Sequence, residues 1–185
     1  LDLSQILLIK KILLFLLFFV LIFVVKAQET KVDTIFIGKI KNESIKKYIK
    51  KKATVFILVR HGEKQDEGKN PSLSVEGNNR AQRLSALLKE VEIDNAFSTD
   101  FLRTKETIEP IVFAKNLKIR IYNPGKISDF VAKELSQNQS RNLIVGHSNT
   151  NPKLINEICK KSLYQEIPEN KFNDLYVVNV FRNKI

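Results

Sequence analysis

Thr54-Val-Phe-Ile-Leu-Val-Arg-His-Gly-Glu63 is an apolar run heavy in β-branched residues that ends in an Arg-His-Gly triplet. Such a run predicts a strand buried on both faces of a sheet. In an open α/β sheet, ligands sit in the crevice beyond the carboxyl ends of the strands, which is where Arg60 and His61 emerge. Gly62 lets the backbone turn away and pass close to a ligand with no Cβ in between. An imidazole beside a permanently charged guanidinium suits phosphate chemistry, because the arginine can bind anionic oxygens bidentately while the histidine attacks phosphorus or moves a proton. By itself such a pair is more often a surface coincidence than a catalytic pair, so the neighbouring segments must decide.

Outward from this strand the chain alternates. Glu63 to Ser72 reads as a polar loop with Gly68 and Asn70-Pro71, long enough to border a site. In Leu73-Ser-Val-Glu-Gly-Asn-Asn-Arg-Ala-Gln-Arg-Leu84, Ser74 can cap a helix whose apolar positions Ala81, Leu84, Leu87, Leu88 and Val91 follow the helical period. Ile93 to Phe97 is a second short strand. Ser98-Thr-Asp-Phe-Leu-Arg-Thr-Lys-Glu-Thr107 then opens a helix, with Ser98 or Thr99 as its cap and Arg103 about one turn in. That places Arg103 on the rim shared with Arg60 and His61, near a helix end that favours anions. The competing reading of Arg103 is a surface residue paired with Glu106 or Glu109. Leu117 to Tyr122 makes a third strand ending in Asn123-Pro-Gly125, followed by a helix over Ser128 to Ser136. Asn142-Leu-Ile-Val-Gly-His-Ser-Asn-Thr150 repeats the opening design, an apolar strand delivering His147, with a helix beginning near Pro152. His61 and His147 are the only two histidines of the chain. Leu175 to Phe181 supplies the last strand. The pattern predicts an α/β three-layer sandwich, a mostly parallel central sheet with helices on both faces.

With 185 residues, 43% hydrophobic and 28% charged, the chain can bury a core as one domain. Cys159 is its one cysteine, which excludes an intrachain disulfide and a cysteine-based zinc site. The net charge of +11 favours anionic partners, but the lysines are scattered or run together (Lys46, Lys47, Lys50, Lys51, Lys52) with only Tyr48 interleaved. This reads as a solvated surface and is weak evidence for nucleic acid. Residues 1–27 read as an export signal: Lys10 and Lys11, then fourteen apolar residues from Ile12 to Val25, then Val25-Lys26-Ala27 as a cleavage site. The expectation is an exported protein, periplasmic or secreted; the alternative is a membrane anchor formed by residues 6–25 if the segment stays uncleaved. Residues 28–53 read as a polar, basic extension containing an edge strand at Thr34-Ile-Phe-Ile37 and a short amphipathic helix with Ile45, Tyr48 and Ile49 on one face. The domain proper is placed at 54–185.

Together these residues resemble the histidine phosphatase superfamily, the phosphoglycerate-mutase-like fold. Its Arg-His-Gly matches Arg60-His61-Gly62; its Leu-Thr-x-x-Gly-x-x-Gln-Ala segment is similar to Leu73-Ser74, Gly77 and, transposed, Ala81-Gln82. Its Ser-x-x-x-Leu-Arg-x-x-x-Thr segment matches Ser98, Leu102, Arg103 and Thr107, and its Gly-His-Ser-Asn matches Gly146-His147-Ser148-Asn149. The likeness runs from about Thr54 to Val180. It implies a phosphatase that works without metal or cofactor through a phosphohistidine: His61 as nucleophile, with Arg60, Arg103 and His147, the last as imidazolium, holding the phosphoryl oxygens. The three cationic groups would keep His61 neutral near pH 7. The chain departs from the family at the carboxylate proton donor, since Ser148 and the Tyr122-Asn123 region stand where many members carry one. Glu63 is the candidate substitute, with Asp66 and Asp129 behind it. An easy leaving group would lessen the need for an acid, and the short chain between Arg103 and His147 disfavours mutase activity. The expected partner is a small phosphorylated substrate or a phosphoprotein; the alternative function is a catalytically weak phosphate-binding or scaffolding domain.

Overall fold

The computed structural model describes residues 5, 10, 11, 30–37, 45–137 and 139–182. The chain divides into two compact units, residues 1–30 with 183–185 and residues 31–182. In the first, residues 5, 10 and 11 are helical. The export-signal and membrane-anchor expectations lie otherwise outside the described residues. Among the described residues no helix is long and apolar enough to cross a membrane.

The second unit follows the alternation in the sequence. Its strands are β1 (Thr30–Ile37), β2 (Thr54–Arg60), β3 (Asn95–Ser98), β4 (Ile119–Ile121), β5 (Arg141–Gly146) and β6 (Leu175–Arg182), in the sheet order β1-β6-β2-β5-β3-β4. β5 runs parallel to β2 and β3, and β3 parallel to β4, whereas β6 lies antiparallel to β2. The helices are α1 (Val75–Leu87), α2 (Leu102–Ala114), α3 (Ile127–Ser136) and α4 (Thr150–Cys159). The expected three-layer, mostly parallel α/β sandwich is the observed one.

Every residue of β2 is buried, and its side chains alternate between two cores. Val55, Ile57 and Val59 pack with Leu84 and Leu88 of the α1 region and Ile108 and Ile111 of α2. Phe56 and Leu58 pack on the other face with Val131 of α3 and Leu154, Ile155 and Ile158 of α4. The two-residue period of a strand is thus what divides one apolar run between two helical layers. Residues 31–53 belong to the same unit as the sheet. A 3₁₀ turn at Ile45–Tyr48 replaces the expected helix, with Ile45 buried and Tyr48 and Ile49 against the core. The compact unit therefore opens before residue 54.

Two strands are shorter at their starts than the apolar runs suggested. Ile93 is buried, and Leu117 packs against the core, yet both precede the hydrogen-bonded ladder at Asn95 and Ile119. Burial selects apolar residues whether or not their backbone is paired.

Candidate active site

β2 and β5 end in register, Arg60 opposite Gly146, and the His61 N–H continues the ladder by donating to the Gly146 carbonyl at 3.0 Å. Neighbouring strands lie about 4.8 Å apart. Two histidines that each follow a strand end are therefore delivered side by side, with ring centroids 5.3 Å apart and edge-to-face. Arg103 reaches the same spot from the first turn of α2, its Nε donating to His61 Nε2 at 3.3 Å. Arg60, His61, Arg103 and His147 line one cleft of about 780 Å³, walled by Phe101 and Phe172. The Arg103 guanidinium lies 4.4 Å from the Phe101 ring centroid and that of Arg60 4.3 Å from Phe172.

The linked motifs brace the loop that carries His61. Ser74 caps α1 by accepting from the Gly77 N–H, and its own N–H donates to the Glu63 carbonyl at 2.9 Å. Gly77 lies so close beneath the loop that a Cβ there would sit 2.0 Å from the Glu63 carbonyl oxygen, and one on Gly62 would sit 2.9 Å from that of Gly77. Thr107 accepts from the Gly62 N–H at 2.9 Å and donates to the Arg103 carbonyl at 2.6 Å, joining the first and third motifs directly. Ser98 and Thr99, expected as helix caps, have other partners. The residue before α2 is Phe101, which makes no capping bond. Ser98 is fully buried and donates to the Thr99 carbonyl, and Thr99 Oγ1 lies 2.9 Å from His147 Nε2 and 3.1 Å from Thr104 Oγ1. Both hydroxyls are buried; that of Thr99 meets His147 and that of Ser98 the adjacent carbonyl, so neither caps the helix.

His61 Nδ1 lies 2.7 Å from the Gly62 carbonyl, which can only accept. That bond fixes the proton on Nδ1 and leaves Nε2 with a lone pair in the cleft. Burial first, then the charges of Arg103 and Arg60, push His61 down to about 4 against the Gly62 bond that raises it. The imidazole is thus neutral near pH 7 as expected, though dehydration leads and the neighbouring cations add to it. His147 is also pushed down to about 4, by burial and then by His61, Arg103 and Arg60. The expectation of an imidazolium is corrected for the free site, because a buried ring among guanidiniums holds no proton near neutrality. A bound dianion would reverse that balance.

Arg60 is more committed than the sequence suggested. Its Nη1 donates to the carbonyls of Pro168, Glu169 and Lys171 at 3.0, 2.9 and 3.2 Å, and its Nη2 meets Glu169 Oε2 at 2.5 Å. Its Nε is buried without a partner. Glu63, expected as the substitute proton donor, is held by Arg80, whose Nε and Nη2 bond both carboxylate oxygens. Partial burial pushes the Glu63 carboxyl up, but the Arg80 bonds outweigh it and hold it below the usual range. That geometry corrects the assignment: the carboxylate is ion-paired and poorly suited to give up a proton. Asp66 is exposed on the cleft wall, whereas Asp129 lies in a separate groove between α3 and α4. Arg103 contacts His61 and Phe101, while Glu106, its alternative partner, accepts from the Leu73 N–H.

The segment from 160 to 174 holds what the sequence reading missed. Glu169 and Phe172 line the cleft, and Glu169 Oε1 accepts from Ser148 Oγ at 2.8 Å. Asn156 anchors the segment through Leu163 and Tyr164, and the Ile167 N–H donates to the Ser148 carbonyl. No periodicity marks such a loop, and its one local signal was an apolar Ile167 before Pro168-Glu169. Among the described residues no group of three or more His, Cys, Asp or Glu side chains is placed to hold a metal ion.

Residues 56–123 match the sequence model of the family described as histidine phosphatase superfamily (branch 1). The matched residues hold three of the four motifs, Arg60-His61-Gly62, the 73–82 segment and the 98–107 segment, and the match supports a phosphatase-type protein at family level. Among solved structures it is similar to an alpha-ribazole phosphatase from Shigella flexneri, at 18% identity over 56% of this chain and 78% of that one, with a TM-score of 0.50. A mycobacterial glucosyl-3-phosphoglycerate phosphatase in complex with VO3 aligns at 14% identity over 58% and 81%, with a TM-score of 0.50. The protein histidine phosphatase SixA complexed with tungstate aligns at 20% identity over 56% and 75%, with a TM-score of 0.49. The first two likenesses concern the fold. No curated protein matches the chain significantly.

Proposed function

We propose that the protein is a metal-independent phosphatase that hydrolyses a phosphomonoester or a phosphoprotein through a phosphohistidine on His61. The observation that carries this reading is the convergence of a neutral imidazole, its unprotonated Nε2 turned into the cleft toward Arg103, with His147 and Arg60 in one cleft. His61 Nε2 forms the bond to phosphorus while the guanidinium of Arg103, the Nε edge of Arg60 and the His147 ring take up the charge on the phosphoryl oxygens. Water then attacks phosphorus, breaks the P–N bond and restores the neutral imidazole. Residues 1–27 we take as an export signal on sequence grounds, so the protein would act outside the cytoplasm.

One observation favours a second reading, a catalytically weak phosphate-binding domain: Glu169 already occupies part of Arg60. The purified chain assayed on an aryl phosphate in EDTA separates the two. Enzymatic hydrolysis abolished by His61→Ala is the expected result, and hydrolysis that survives the substitution overturns the reading.

A further inference from the structure

We propose that Glu169 is the proton carrier of this site, leaving Arg60 for the leaving-group oxygen as the phosphoryl group takes its place on the guanidinium. The inference rests on the phosphatase reading above and deepens it by identifying the missing acid.

Three observations lead there. First, the Glu169 carboxylate lines the cleft on its solvent side with two partners, Arg60 Nη2 at 2.5 Å and Ser148 Oγ at 2.8 Å. A carboxylate on a guanidinium stands where two phosphoryl oxygens would bind. Second, Arg60 is only 4% exposed, yet its Nε–H has no partner, so the Nε–Nη2 edge is half used. A tetrahedral anion would fill both positions if the carboxylate withdrew. Third, the withdrawal needs only side-chain rotation. The backbone around Glu169 stays fixed by three carbonyls on Arg60 Nη1, while its side chain is 82% exposed and can turn toward solvent once its bonds to Arg60 and Ser148 are exchanged. Of the other carboxylates on this cleft, Glu63 is locked by Arg80, leaving Asp66 as the rival.

The other charged and titratable groups on the same cleft are Arg60 at the end of β2, His61 after it, Arg103 on α2, His147 after β5, Lys153 on α4, and Glu63, Lys64 and Asp66 on the facing loop. In the free site, the Ser148 bond and the charge of Arg60 hold the Glu169 carboxyl below the usual range. Exchange of Arg60 for a neighbouring phosphoryl dianion removes one cation and adds negative charge, and both raise its proton affinity. Substrate binding therefore brings one proton to Glu169, from solvent or from the phosphate monoanion. In the first half-reaction His61 Nε2 bonds to phosphorus, the bond from phosphorus to the leaving oxygen breaks, and that proton passes from the Glu169 carboxyl to the leaving oxygen. In the second, the carboxylate takes a proton from the attacking water as the new P–O bond forms. The P–N bond then breaks, returning neutral His61, and the proton leaves Glu169 for solvent as its carboxylate goes back to Arg60.

The test compares wild type, Glu169→Gln and Asp66→Asn in the full chain on p-nitrophenyl phosphate, whose leaving group needs no proton, and on glycerol phosphate, whose alkoxide does. Glu169→Gln is expected to lower kcat on glycerol phosphate by about 100-fold or more. The p-nitrophenolate burst should change by less than about threefold, and the alkaline limb of the kcat profile on glycerol phosphate should disappear. Equal losses on both substrates, tighter inhibition by inorganic phosphate with turnover retained, or the selective loss appearing in Asp66→Asn would each overturn the proposal. So would a wild type inert on glycerol phosphate. A wild type that gives no burst with p-nitrophenyl phosphate and no labelled His61 refutes the phosphatase reading itself, and this proposal falls with it.

Discussion

The nucleophilic role proposed for His61 rests on one short bond and on dehydration. The Gly62 carbonyl fixes the tautomer, and burial keeps the ring unprotonated down to about pH 4. The sign of the pH effect follows. Protonation removes the Nε2 lone pair, so activity is present above the folded-state pKa and is lost as pH falls through it. With an aryl phosphate whose leaving group needs no proton and whose own ionisation is corrected for, kcat/KM should therefore stay level from pH 7 to about 5 and fall with an apparent pKa near 4. A fall centred near the ordinary imidazole value of about 6.5 would show that the ring is solvated in the free site. His147 shares the depression, so its role as a cation depends on the charge the substrate brings.

At the scale of elements, the motifs are devices for placing a loop. α1 begins beneath residues 62–63 because two glycines let two backbones touch there. Gly77→Ala would drive a Cβ into the Glu63 carbonyl, which cannot rotate away as a side chain could. The expected loss is roughly 1–3 kcal/mol in denaturant unfolding, with a fall in kcat as the His61 loop shifts. Unchanged stability and activity would mean that α1 can slide without disturbing the site. Thr107 does the corresponding work from α2, satisfying the buried Gly62 N–H. These elements were legible in the sequence because their apolar periods and turn residues are local. Their ends were less so: Ser98 and Thr99 have the chemistry of caps, and only the packing of Thr99 against His147 shows that their bonds go elsewhere. Glu63 was misread for the same reason, since nothing local announces that Arg80, seventeen positions on, takes both its oxygens.

Across the whole molecule, a parallel sheet converts sequence distance into proximity. His61 and His147 lie far apart in the chain, yet the in-register ends of β2 and β5 make them neighbours, and two apolar cores hold that register from either side. The repeated strand-then-histidine pattern made this half of the site readable. The other half was not, because the 160–174 loop carries its meaning in tertiary bonds: Asn156 fastens it, Arg60 organises it, and Glu169 and Phe172 complete the cleft. The measurement that bears most directly on the whole arrangement is covalent trapping. Wild-type chain mixed with a ³²P-labelled aryl phosphate and quenched in denaturing alkali should retain an acid-labile phosphoryl label on His61, and His61→Ala should retain none. Turnover by the wild type with label on no residue, or on a residue other than His61, would contradict the account.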